Sequence, residues 1–196
     1  MDKLFNSTFD FFSYAIPGCF VLFSFFMLDT SYTSLSDYLA FFGSLSVGPG
    51  VLLLILGYII GFALNPLGRY LYRSLGFKLF NSSIDDFWGP NLSEKYALLR
   101  ELSPSNFKYV ETWNMLCTMA HNLALASGFM VLLGVMRIFL AYSSFVLSLV
   151  AGAALMFFFL LHRAVTFYVW AANDINATIR SLHLKDRADV HGKSSS

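Results

Sequence analysis

Charged residues are scarce in this sequence. Only 13% of the 196 residues are Asp, Glu, Lys or Arg, whereas soluble globular chains carry about 25%, so the chain lacks the polar groups that a water-exposed surface needs. The same scarcity excludes an intrinsically disordered chain. The net charge is +1, so the chain has no overall field that would attract nucleic acid, and we expect no direct binding of nucleic acid.

Cysteine and the usual motifs of catalysis are also rare or missing. Cys19 and Cys117 have neither a disulfide pattern nor a metal-ligand spacing, so we interpret both as small buried hydrophobic residues. The chain has no glycine-rich phosphate loop, no HExxH motif and no acidic residue in its last three apolar runs. We therefore expect no cofactor, no metal and no catalytic residue, and an ion-coupled carrier is disfavoured.

Apolar residues dominate instead. They make up 57% of the chain, with 22 Phe and 10 Tyr, and the mean hydropathy is +0.61. A membrane-spanning helix needs about 20 predominantly apolar residues, and four runs approach that length: 11–28, 47–64, 120–140 and 145–161. The sequence thus predicts an all-α polytopic membrane protein with four transmembrane helices. Asn65-Pro66 should end the second helix, and residues 141–144 leave room only for a tight turn.

The cations are distributed unevenly around these runs. No Lys or Arg occurs between 29 and 50, whereas twelve of the thirteen fall on the opposite side: Lys3, Arg69, Arg73, Lys78, Lys95, Arg100, Lys108, Arg163, Arg180, Lys185, Arg187 and Lys193. The positive-inside rule then places both termini in the cytoplasm and the chain in the inner (plasma) membrane, surrounded by membrane lipid.

This topology divides the chain into four parts. Residues 1–66 hold the first two spans and a short outer loop, 29–46, which we interpret as an interfacial segment. Residues 67–119 form a cytosolic helical loop, 120–163 a transmembrane hairpin, and 164–196 a cytosolic amphipathic helix with a polar tail from 185 onwards. No outer region is large enough for a receptor domain.

Spans three and four are expected to continue into a cytosolic helical stalk. Ser103-Pro104 is a helix start with no breaker before the membrane, and a turn at 85–90 followed by Asn91 and Glu94 resembles the capping of a preceding helix, 92–102. After span four, apolar residues recur at helical spacing: Val165, Tyr168, Val169, Ala172, Ile175, Ile179 and Leu182. This stripe needs a cover, which is the chain itself, a second copy or a cytosolic protein partner.

Small residues recur at every fourth position in three of the spans, a spacing that lets helix backbones approach closely in lipid. The three stripes are Gly57 and Gly61; Ala120, Ala124 and Gly128; and Ser144, Ser148 and Gly152. Packing within one protomer explains such stripes. Three of them exceed what a hairpin needs, so contacts in a homo-oligomer are the alternative.

Polar residues near the span ends are the candidates for a functional site. We interpret Arg137, near the outer end of span three, as reaching the outer headgroups; the alternatives are a ring of arginines around an oligomeric pore and a lipid site. His121 at the entry of span three should lie at the depth of His162 and Arg163 at the exit of span four. These residues either anchor the helices at the interface or form one polar cluster, the only neighbourhood suited to a membrane-embedded enzyme.

Three short stretches carry a resemblance to a known family: FFSYAIPG at 11–18, GYIIG at 57–61 and HNLALA at 121–126. With the four-span architecture, they resemble the KwaA family, the membrane components of the Kiwa anti-phage defence system. The resemblance implies a non-enzymatic membrane sensor that oligomerises and holds a cytosolic DNA-binding partner similar to KwaB. We therefore expect a sensor or scaffold in antiviral defence, with a gated pore and a membrane-embedded enzyme as alternatives.

Overall fold

The computed structural model describes residues 2–80 and 92–183, with side chains from 11 to 80 and from 94 to 183. Every regular element in these ranges is helical, which confirms the all-α prediction. The predicted turn at 85–90, the capping residue Asn91 and the polar tail from 185 onwards lie outside the described residues.

Seven α-helices follow one another in the described part of the chain: α1 Asp2–Phe26, α2 Leu35–Ser44, α3 Val47–Leu71, α4 Phe77–Phe80, α5 Leu92–Leu102, α6 Pro104–Leu140 and α7 Ser144–Ser181. A π-helical segment, Tyr72–Gly76, joins α3 to α4. Three continuous helical stretches are long and apolar enough to cross a membrane: Val47–Phe80, Pro104–Leu140 and Ser144–Ser181. The apolar part of α1, Phe11–Phe26, is shorter, and the fourth span stays a prediction.

The helices α6 and α7 form the antiparallel hairpin that the sequence predicts. Helix α6 begins at Pro104 and runs unbroken to Leu140, and α7 follows after three residues. The side chain of Ser143 caps α7 by accepting a hydrogen bond from the backbone N–H of Val146. We call the end of the bundle that holds this connection the turn end, and the opposite end, where α5 packs, the α5 end.

The prediction that Asn65-Pro66 ends the second apolar helix is wrong, because α3 continues through Pro66 to Leu71. A proline inside an apolar helix is tolerated where a neighbouring helix and local π geometry compensate for the lost backbone bond. Here α3 packs tightly on α6: a Cβ atom on Gly68 would lie 2.8 Å from Cδ2 of His121. Helix α3 therefore continues past the proline in close contact with α6, and the π-helical segment begins only after Leu71.

The outer loop predicted over 29–46 contains a helix, α2, that the sequence analysis did not anticipate. Ser34 is its N-cap, and the carboxylate of Asp37 accepts a hydrogen bond from the backbone N–H of Ser34 at 2.8 Å, which completes a capping box. Tyr38 on α2 is buried among the rings of Phe23 and Phe26, which fix α2 against α1.

Two of the three small-residue stripes are used inside the protomer. Gly57 and Gly61 lie against α1: a Cβ atom on Gly57 would be 2.5 Å from Sγ of Cys19, and one on Gly61 would collide with the carbonyl of Tyr14. Ala120 and Ala124 are buried in the core, and a Cβ atom on Gly128 would make ordinary contact with Phe157, at 3.4 Å.

The third stripe faces outwards. Ser144, Ser148 and Gly152 are exposed along α7, and a Cβ atom on Gly152 would have no neighbour within 4 Å. Packing within the protomer therefore accounts for the first two stripes and not for the third.

Replacing Gly61 with alanine should destabilise the protein, whereas the matched change Gly152→Ala should not. Alanine improves helix propensity at both sites by about 1 kcal/mol, but at Gly61 the added methyl collides with the Tyr14 carbonyl, and overpacking typically costs about 1–3 kcal/mol. Thermal unfolding in one detergent should give a lower midpoint for Gly61→Ala only. Equal midpoints for the two variants would contradict the α1–α3 contact.

Candidate functional site

Arg137 lies in the last turn of α6 and is 0% exposed. Its guanidinium is bound by backbone carbonyls: Nε donates to Asp29 at 3.4 Å, Nη2 donates to Thr30 at 3.3 Å and to Tyr32 at 3.4 Å, and Nη1 donates to Ala141. The interpretation that Arg137 reaches the outer headgroups is therefore wrong. A pore ring or a lipid site at this residue would need a side chain at the protein surface, and this one faces the protein interior.

The surroundings of Arg137 suit a buried cation. Carbonyl oxygens at the carboxyl end of a helix carry partial negative charge, and the guanidinium lies at the carboxyl ends of both α6 and α1. Asp29 is exposed, and its pKa is lowered mainly by the backbone N–H of Ser31, which donates to its carboxylate at 2.9 Å, with a smaller effect from the charge of Arg137. The side chain of Arg137 thereby joins the α1–α2 loop to the connection between α6 and α7.

A second set of bonds fixes the same loop. The carboxylate of Asp37 accepts the backbone N–H of Thr33 at 2.9 Å, and this bond, with those from Ser34, lowers the pKa of Asp37. The hydroxyl of Ser143 donates to the carbonyl of Thr33 at 2.9 Å. At the turn end, Arg137 and Ser143 thus both bind the α1–α2 loop and link it to the connection between α6 and α7.

His121 and His162 do not form one polar cluster. His121 is 2% exposed; its Nε2 lies 2.9 Å from Oδ1 of Asn65 and therefore donates to it, and its ring stacks on Tyr72 at 5.2 Å. His162 is exposed and packs edge-on against Phe80 instead. The two histidines were expected to lie close together because they share a depth along their helices. Their rings instead contact different residues, so they do not form the polar cluster expected for a membrane-embedded enzyme.

Asn65 and Tyr72 are polar partners of His121 that the sequence analysis missed. Asn65 was assigned to a helix stop, and Tyr72 to the loop that follows. Asn65 on α3 and Tyr72 at the start of the π-helical segment both contact His121 of α6, and Gly68 lies between them against the same residue. In an apolar interior each polar group needs a partner, and the arrangement gives His121 a role in fixing α3 on α6.

The apolar stripe of the predicted stalk is covered by the chain itself. Ile175 and Ile179 on α7 are buried with Leu99 of α5 and Val110 of α6. The other predicted stalk residues lie along the same helix, buried or half-buried: Val165, Tyr168, Ala172 and Leu182. The sequence analysis left three alternatives for what covers this stripe: the chain itself, a second copy or a cytosolic partner. In the structure α5 and α6 of the same chain cover it, so these side chains are not a surface that a partner would contact.

Three helical segments pack together at the α5 end: α5, residues 104–119 of α6 and residues 164–181 of α7. We call them the α5 module, and polar side chains form hydrogen bonds between them. Nζ of Lys95 donates to Oδ1 of Asn176 at 2.9 Å, and Nε1 of Trp113 donates to Oδ2 of Asp174 at 2.7 Å. Burial raises the pKa of Tyr96, whose hydroxyl accepts a hydrogen bond from the amide of Asn114. The α5 module is therefore packed and bonded within one chain.

The exposed third stripe borders an apolar groove. This groove, of about 630 Å³, lies between α1, α6 and α7, and its walls include Phe20, Phe23, Met130, Ser148 and Gly152. Its walls are almost entirely apolar, as expected of a surface that faces lipid or another helix.

No family model, curated protein or solved structure matches this chain. What the described residues define is therefore a class: an all-helical protein with three helices long and apolar enough to span a membrane. Its most unusual internal feature is the arginine held by backbone carbonyls at the turn end.

Replacing Arg137 with lysine should destabilise the turn end. Lysine keeps the charge but has its donors on one nitrogen, so it cannot reach four carbonyls that lie around a planar fork, and each buried acceptor left unpaired costs about 1–3 kcal/mol. We expect a lower unfolding midpoint and faster hydrogen exchange in α2. Arg180→Lys, at an exposed position on α7, is the matched control and should stay within about 0.5 kcal/mol of the parent. If both variants behave like the parent, Arg137 is not buried as described.

Proposed function

We propose that the chain is a four-span inner-membrane protein whose α5 module lies in the cytoplasm, with both termini on that side. Helix α6 has 37 residues and α7 has 38; at 1.5 Å per residue each is about 56 Å long. The hydrocarbon core of a bilayer is about 30 Å thick, so nearly half of each helix must project from it. The projecting half forms the α5 module, which contains Lys95, Arg100, Lys108 and Arg180, whereas no Lys or Arg occurs between 29 and 50. This difference in charge supports a cytoplasmic position for the module.

We further propose that the protein is a non-enzymatic sensor or scaffold. The observation behind this proposal is the continuity of α6 and α7. Helix α6 ends, and α7 begins, at the turn end near Arg137, and the opposite ends of both helices belong to the α5 module. In this proposal, the two continuous helices transmit a displacement of the α1–α2 loop to the α5 module. The exposed third stripe on α7 is the surface we assign to self-association in a homo-oligomer.

The partner in this proposal is a cytosolic protein that binds the outer surface of the α5 module. That surface presents charged and polar side chains, among them Glu94, Arg100 and Asn173. The resemblance to the KwaA family suggests anti-phage defence as the setting and a KwaB-like protein as the partner. A gated pore and an embedded enzyme are not favoured by any contact described above.

The topology can be tested with reporter fusions. Fusions after Lys108 and after Lys193 should report the cytoplasm, because the cations hold these segments inside, and a fusion within 31–36 should report the outside. Any other pattern would overturn the membrane placement and the proposals that rest on it.

Partner binding can be tested by dismantling the α5 module. The double variant Ile175→Asp/Ile179→Asp places two charges in the buried contact with Leu99 and Val110, and a buried charge without a partner costs several kcal/mol. The spans should still insert, while α5 becomes protease-sensitive and a cytosolic protein that the parent captures is no longer captured. Ser36→Asp, an exposed change on α2 and outside the α5 module, is the control and should keep the partner. Capture by the double variant with α5 digested would exclude the module as the binding surface.

A further inference from the structure

An arginine on α7 is enclosed by aromatic rings. Arg163 has Phe159 one helical turn before it and Phe167 one turn after it, and its guanidinium carbon lies 5.8 Å from the first ring centre and 5.4 Å from the second. Both distances are in the range of cation–π attraction. Contacts with ring faces use none of the guanidinium N–H groups as hydrogen-bond donors to an oxygen, so these groups are left to bind an acceptor.

Those N–H groups have no protein acceptor among the described residues: Arg163 makes its ring contacts but no hydrogen bond or ion pair there. Trp170 extends the same surface. Its ring contacts Phe167 at 5.8 Å and Trp113 at 5.0 Å, and it is 41% exposed. The indole of Trp113 already donates to Asp174, whereas that of Trp170 has no acceptor in the described part of the chain. We call Phe159, Arg163, Phe167 and Trp170 the aromatic patch.

The position of the aromatic patch along α7 matches the inner surface of a bilayer. Arg163 is 19 residues from Ser144, the start of α7, which corresponds to about 28 Å, close to the thickness of the hydrocarbon core of about 30 Å. Trp170 is 26 residues from Ser144, or about 39 Å along the helix. At the average tilt of about 20° this is a depth of about 37 Å, which falls in the inner headgroup layer, about 5–7.5 Å thick beyond the hydrocarbon core. Arg163 then lies at the depth of the lipid phosphates, and Trp170 among the headgroups, where indole rings are favoured.

We propose that the aromatic patch binds the phosphate of an anionic phospholipid in the inner leaflet. The edge of the Arg163 guanidinium pairs with two phosphate oxygens, which is the geometry that this planar group favours, and the indole N–H of Trp170 donates to the headgroup. Phe159, which is exposed on the membrane side, contacts the first part of an acyl chain. No described carboxylate neutralises Arg163, so a lipid with net negative charge is preferred over a zwitterionic one. This site rests on the membrane placement proposed above.

The experiment is native mass spectrometry of the full chain released from nanodiscs that contain three parts phosphatidylcholine and one part phosphatidylglycerol. The parent should retain phosphatidylglycerol, and Arg163→Gln should retain about tenfold less, the loss expected for one charge-assisted bidentate contact. Arg163→Lys should fall between them because it keeps the charge and loses the planar fork. Arg180→Gln, an exposed arginine on the same helix about 25 Å further along, should retain as much as the parent.

Each contrary result has a defined meaning. Equal retention by Arg163→Gln and Arg180→Gln would overturn the lipid site while the membrane placement stands. Failure of the parent to enter nanodiscs would overturn both. In delipidated protein, the free headgroup glycerol phosphate should bind no better to the parent than to Arg163→Gln; a clear preference for the parent would make the ligand a free phosphate and reject the lipid.

Discussion

The arrangement of the turn end depends on one buried guanidinium bound by four backbone carbonyls. Taking a charge out of water costs several kcal/mol, and this cost is offset only because Arg137 uses its donors on Asp29, Thr30, Tyr32 and Ala141. Those carbonyls belong to the loop after α1 and to the connection after α6, two segments far apart in sequence. The side chain fixes the loop from which α2 starts and the connection from which α7 starts, so the relative positions of α1, α2, α6 and α7 follow from it.

From that point α6 and α7 run without interruption to the α5 module, whose apolar residues are covered by the same chain. A stalk with its own core does not need a partner to be stable, and this changes the reasoning about function. In the function proposed above, a cytosolic protein binds the polar outer surface of the α5 module, and copies of the chain contact one another through the exposed stripe of Ser144, Ser148 and Gly152. In the proposed membrane setting, the aromatic patch around Arg163 then lies between the two, at the inner surface of the bilayer.

The sequence predicted the elements that local signals determine. Proline after a cap residue marked the start of α6, and helical spacing of apolar residues marked the continuation of α7. The capping box of α2, Ser34 with Asp37, was equally local and was overlooked. Other features could not be read from the sequence, because they arise from contacts between helices. Gly68, two residues after Pro66, lies close against His121 of α6, and Arg137 is buried because distant carbonyls converge on it. His121 and His162 share a depth, but depth does not give the angle at which each side chain leaves its helix.

The central claim, that Arg137 is held inside the protein by the loop after α1, can be measured directly by solid-state NMR in bilayers. With ¹⁵N in arginine and ¹³C in threonine carbonyls, the account predicts a nitrogen–carbon dipolar contact between the guanidinium and Thr30, whose carbonyl oxygen is 3.3 Å from Nη2 of Arg137. This contact should vanish in Arg137→Lys. A guanidinium that shows no such contact and exchanges its protons freely with water would contradict the account.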